Sequence, residues 1–131
     1  MTIVSLASCS EKPDELSTLA LVRARTCELL ARATGHPEPE GYFTAGLFSL
    51  LDAMMDQPMS KLLDDIPLAE DLKSGLLTMT GPYGQALKCM IAMERNDIED
   101  ISFFDLKPAK ISELYLEALL WANQQGKEML S

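Results

Sequence analysis

One histidine, three cysteines and twenty carboxylates are the side chains from which this chain would have to build a reactive centre, and their spacing offers no catalytic, cofactor or metal residue. A metal centre of the phosphohydrolase kind needs several His and Asp ligands converging, with an adjacent His-Asp pair as its usual sign. His36 is followed by Pro37 in a Gly/Pro-rich stretch and reads as an exposed loop residue. Cys9, Cys27 and Cys89 are odd in number, far apart and in no CxxC arrangement, so they indicate neither a disulfide framework nor a zinc site. Cys27 falls beside Leu30 and Ala31 on a helix and reads as a small buried hydrophobe. The acidic pairs Asp64-Asp65 and Asp97 to Asp100 lack the glycine-containing loop of a calcium hand. No GxSxG, Cys/His pairing or SxxK arrangement supplies an activated nucleophile. The turn Gly81-Pro82-Tyr83-Gly84 has too few glycines to cradle a phosphate. Met54, Met55 and Met59 leave a third reading open, a plastic pocket for a small ligand, with core filling as the simpler account.

The elements that would carry these residues are helices. Leu, Met and Ala supply most of the apolar weight and aromatics are only 6% of the chain, which favours an all-α bundle of about six helices. Phe43 to Met55 is apolar around most of a helical circumference and is expected at the centre, with only Ala45, Ser49, Asp52 and Asp56 turned to water. Before it runs a long helix with Gly35 as its left-handed stop, and then a Gly/Pro surface loop from Gly35 to Gly41. Shorter helices follow Pro58, Pro67 and Pro82, with Gly81 stopping the second of these. Ile98 to Leu106 connects to a final helix that starts near Pro108 and frays at Gly126. Arg23, Arg25 and Glu28 lie close enough to the buried stripe for a fixed ion pair, and Asp52 is a candidate partner for Arg23 or Arg25.

The 131 residues are the size of one domain. A net charge of −9 repels phosphate backbones and anionic bilayers, which speaks against nucleic-acid binding and membrane association. Asp52 and Asp56 break the longest apolar run well short of a membrane span. Leu6-Ala7-Ser8-Cys9 mimics a lipoprotein cleavage site without the preceding basic residues or a long enough apolar segment, so a cytoplasmic location is expected.

Five segments in order, RARTCELLA from Arg23, FTAGLFSLLDAMMDQPM from Phe43, the IPL of Ile66 to Leu68, GPYGQAL from Gly81 and YLEALLWAN from Tyr115, resemble the C-terminal half of HDOD domains, as found in bacterial EAL–HDOD signalling proteins. The resemblance implies a helical relative of the HD phosphohydrolases that generally lacks their metal-binding His and Asp, and that serves as a signalling or regulatory output module. It offers no catalytic residue to carry over. The matching positions Arg23, Cys27, Glu28, Gly46, Ser49, Asp52 and Pro58 are implied to serve helix packing and a polar network between helices. A divergent metal-dependent phosphohydrolase of the HD superfamily is the alternative. Set beside the family, residues 1–131 lack the N-terminal helices of the HDOD domain and an EAL domain, whose family activity is hydrolysis or recognition of cyclic di-GMP. The expectation is therefore an uncovered apolar face, carrying Ile3, Val4 and Leu6 with Phe103 and Phe104, that docks on another copy of the chain or on a separate protein.

Overall fold

The computed structural model describes the backbone of residues 13–130 and the side chains of residues 17–124. Among the described residues seven α-helices follow one another: α1 (Pro13–Thr34), α2 (Pro39–Phe48), α3 (Leu51–Met55), α4 (Met59–Asp64), α5 (Glu70–Thr78), α6 (Gly81–Arg95) and α7 (Pro108–Leu130). A single 3-10 turn, Ile98–Asp100, stands between the last two. Among the described residues the architecture is all-α, and Phe103 and Leu106 form an isolated antiparallel bridge that closes a tight turn.

The element at the centre is α1. Residues Ala20, Val22, Ala24, Thr26, Cys27, Leu30 and Ala31 are buried around much of its circumference, against α2 on one side, α7 on another and α6 between them. Small side chains make this possible, because Ala and Cys let neighbouring backbones come close. The closest approach is at Gly46 of α2, where an added Cβ would lie 2.6 Å from both the Cα of Ala24 and the carbonyl carbon of Arg23.

The apolar stretch Phe43 to Met55 is not the central rod that its hydrophobicity suggests. It breaks at Ser49–Leu50 into α2 and α3, and no residue of α3 is buried; Met54 and Met55 are 42% and 53% exposed. The face of α2 against α1 carries Tyr42, Ala45 and Gly46, so Ala45, expected in water, is fully buried. Closeness of packing, set by Gly46 and Ala45, outweighed bulk.

Helix ends follow local chemistry. Gly35 ends α1 with φ 73°, and the amide of His36 donates to the Ala31 carbonyl at 2.9 Å while that of Gly35 donates to Arg32 at 3.3 Å, the paired bonds of a Schellman cap. The expected loop to Gly41 is shorter than its glycines and prolines suggest, because Pro39 suits the first turn of α2, whose early amides have no helical partner. Gly81 does not stop α5. Met79 does, in the left-handed region at φ 58°, while Gly81 begins α6. Gly84 makes room for that cap: a Cβ there would lie 2.8 Å from the Met79 Cα. Gly126 likewise does not end α7, which continues to Leu130.

Candidate functional site

Three sets of side chains are candidates for function, and α1 contributes to each of them. The first is a polar node. Arg23 of α1 donates from Nε to Glu94 Oε2 at 2.9 Å and from Nη2 to Oε1 at 2.8 Å, a two-pronged pair between helices. Its Nη1 donates to Ser49 Oγ at 3.1 Å, and the Ser49 hydroxyl passes its own proton to the Gly46 carbonyl at 2.7 Å. The Arg23 and Glu94 side chains keep only 13% and 17% exposure. The Tyr115 phenol is pushed up by burial and by the Glu94 carboxylate, against the opposing pull of Arg23, which brings α7 to the same junction. Chemically the node is closed, since the guanidinium has its carboxylate and the hydroxyl has both a donor and an acceptor.

Glu28 forms a second, local set. Its carboxylate accepts from Arg25 at 2.8 Å and from Arg32 at 3.0 Å along α1. The Arg25 guanidinium also lies over the Trp121 ring, 5.3 Å from its centroid, and so ties α1 to α7. Of the polar residues expected to act together, Arg23 and Glu28 are therefore in separate sets. Asp52 is in neither: it lies exposed on α3 and its Oδ1 accepts from the amide of Ala53 at 2.8 Å. The break before α3 turns it away from α1. Glu94 is the partner that the sequence reading did not single out. Its spacing held the signal, because Ala86, Met90 and Glu94 follow one another at four-residue steps on the buried side of α6.

The third set surrounds His36, which is half-buried rather than exposed. The Thr34 hydroxyl lies 2.8 Å from the Leu30 carbonyl and 3.2 Å from that of Ala31, and it shares a 2.6 Å hydrogen bond with His36 Nδ1. The imidazole packs on Phe104, Phe103 and Tyr42 with ring centroids 4.5, 5.6 and 5.8 Å away. Tyr42 packs in turn on Tyr83 at 4.6 Å. Burial, with Tyr83 and Asp71 adding to it, pushes the Tyr42 phenol up to about 12. Ile3, Val4 and Leu6 of the expected docking face lie outside the described residues. Phe103 does not belong to an exposed face: it is one of the largest fully buried side chains, drawn into the core by the turn it shares with Leu106. Phe104 is half exposed.

Cys27 and Cys89 are both free thiols in the core. Burial, and then the neighbouring Cys89, pushes the Cys27 thiol far above the usual range. Cys89 is pushed up to about 11 by burial, with a backbone hydrogen bond involving Ser102 pulling the other way. Neither thiol is set up as a nucleophile. Among the described residues no three His, Cys, Asp or Glu side chains gather as a metal ligand set, and no helix is long and apolar enough to cross a membrane.

Beside Phe104 a groove of about 580 Å³ runs along the outer side of α6. Lys88, Ile91 and Arg95 form one side, and Asp97, Glu99, Asp100 and Phe104 come from the segment beyond the helix.

The chain is 36% identical over 121 residues to the cyclic di-GMP phosphodiesterase CdgJ of Vibrio cholerae, a match covering 87% of this chain and 28% of that protein. It is 33% identical over 111 residues to the uncharacterized protein YuxH of Bacillus subtilis, covering 83% of this chain and 27% of that one. It is a homologue of part of each. The chain thus spans just over a quarter of the length of the curated relatives it matches. No family model matches it, and no solved structure matches it significantly.

Proposed function

We propose that the chain is a non-enzymatic signalling module of a bacterial cytoplasm, HDOD-like in fold, which acts by contact with protein. The observation that carries this reading is the homology to part of a protein named for cyclic di-GMP turnover, combined with an interior whose polar groups are committed to one another. Arg23 holds Glu94 and Ser49, Glu28 holds Arg25 and Arg32, and His36 Nδ1 is hydrogen-bonded to the Thr34 hydroxyl. Groups engaged in this way fix helix positions, and a general acid or base would need a free face toward substrate. The half-exposed Phe104 and the charged side chains of the α6 groove are the surface features such a module would present.

The phosphohydrolase alternative draws on one specific observation, the activity for which CdgJ is named. One experiment separates the two. Purified protein is incubated with cyclic di-GMP and with simple nucleotides in the presence of Mg²⁺ or Mn²⁺, and the products are resolved by chromatography. The module reading expects intact substrate. Turnover that disappears when one carboxylate is replaced would overturn it.

A further inference from the structure

The groove along α6 has two sides of opposite charge. Lys88 and Arg95, seven residues apart on one face of the helix, lie on one side, and Asp97, Glu99 and Asp100 on the other. Among the described residues none of these five makes an ion pair within its own chain, although every ion pair the fold does use is satisfied within it. Opposite charges that share a groove and stay unpaired are complementary to a surface built the same way. Under a two-fold axis the cations of one copy meet the carboxylates of the other, and the same two contacts occur twice.

Phe104 supplies the apolar anchor. It sits in the tight turn closed by Phe103 and Leu106 with φ 53°, a left-handed conformation that costs a bulky residue energy and that glycine takes freely. The ring gained at that position is 50% exposed, lies at the groove, and is held from behind by His36 and by Phe103, whose centroid is 4.7 Å away. Ile98, in the middle of the carboxylates, is 69% exposed. A strained backbone that presents a rigid aromatic ring beside unpaired charges has the make-up of an interface centre, an apolar anchor within a polar rim.

We infer that this groove is a self-complementary interface, in which Phe104 and the two charged sides of one copy dock on those of a second copy of the chain. The inference rests on the module reading and names the site and partner through which it works. The test uses the 131-residue protein in sedimentation equilibrium from low to high micromolar concentration. The wild type is expected to move from 14.4 kDa toward twice that mass. Phe104→Gly, which relieves the backbone strain, is expected to stay folded by circular dichroism and to raise the dimer dissociation constant at least about tenfold. The charge pattern gives the sharper test. The double variant Lys88→Glu/Arg95→Glu and the triple variant Asp97→Lys/Glu99→Lys/Asp100→Lys should each be monomeric alone, and an equimolar mixture should recover the dimer mass, which also shows both to be folded. A wild type that remains at 14.4 kDa, a dimer indifferent to all three variants, or a mixture that stays monomeric overturns the inference. None of these results bears on turnover, so the module reading stands or falls separately.

Discussion

Replacing Gly46 by alanine tests the packing on which the polar node depends. The new methyl would meet backbone on α1, 2.6 Å from the Ala24 Cα and from the carbonyl carbon of Arg23, and backbone cannot swing aside. To reach ordinary contact α2 has to retreat by about 1 Å, enough to forfeit much of the dispersion energy along the crossing. Overpacking of this kind costs about 3 kcal/mol at the upper end of its range. The retreat also carries Ser49 away from Arg23, and weakening that 3.1 Å bond costs about 1 kcal/mol more. Against this, alanine favours the helix over glycine by about 1 kcal/mol. The net loss is about 3 kcal/mol, which for a chain of this length lowers the melting temperature by about 10 °C. Thermal and urea unfolding followed by circular dichroism measure it, with the midpoint shifted and the urea slope unchanged. Gly41→Ala in the same helix is the control. There the methyl meets the outer edge of the Tyr83 ring, with the hydroxyl 2.5 Å and Cε1 and Cζ 3.1 Å away, a side chain that can shift where backbone cannot, so its loss should be smaller than that of Gly46→Ala. If Gly46→Ala melts at or above the wild-type temperature, the close crossing and the argument from it are wrong.

Arg23→Met leaves the part-buried Glu94 without its cation and should cost about 2–4 kcal/mol, whereas adding Glu94→Gln should cost less than the two single effects together, giving a coupling of about 1–3 kcal/mol in a double-mutant cycle by urea unfolding. Gly35→Ala meets no atom within 4 Å but needs the left-handed conformation at φ 73°, so a loss of about 1 kcal/mol should be seen with no change in the spectrum. The folded Cys89 thiol, pushed from 9.0 up to about 11, keeps its proton where the unfolded one gives it up. Folded protein then binds more protons, and stability should fall as pH rises from about 9 to about 11, less steeply in Cys89→Ala. For the same reason, alkylation of Cys27 and Cys89 at mildly alkaline pH should be slow in native protein and fast in denaturant, as read by intact mass.

Helix content and most helix starts could be read from proline, glycine and apolar spacing, because those signals are local. Which helix lies at the centre could not. Hydrophobicity pointed to Phe43–Met55, but burial depends on how closely other backbones approach, and Ala20, Ala24, Cys27 and Ala31 give α1 the smoother flank. Gly46 was visible as a glycine, while its meaning depended on which backbone lay opposite it. The left-handed cap at Met79 escaped for a related reason, since the room Gly84 leaves beside it is set by packing, whereas Asn96 and Asp56, both exposed, are residue types that take this conformation locally.

The candidate sites divide along the same line. Arg23 was recognisable as a charge too close to the core to be idle, and Glu94 could have been found by extending the buried face of α6 one more turn. Phe104 is the harder case, because nothing in Ile98–Leu106 announces that one phenylalanine enters the core while its neighbour is forced outward at positive φ. A tight turn reverses the chain within two residues, so adjacent rings separate to opposite sides. The inner ring, Phe103, then helps hold the outer one. The core and the exposed surface of this protein are thus joined through one turn. A substitution that loosens Phe103 should disturb the α6 groove before it unfolds the helices, and hydrogen exchange on residues 97–106 would report it.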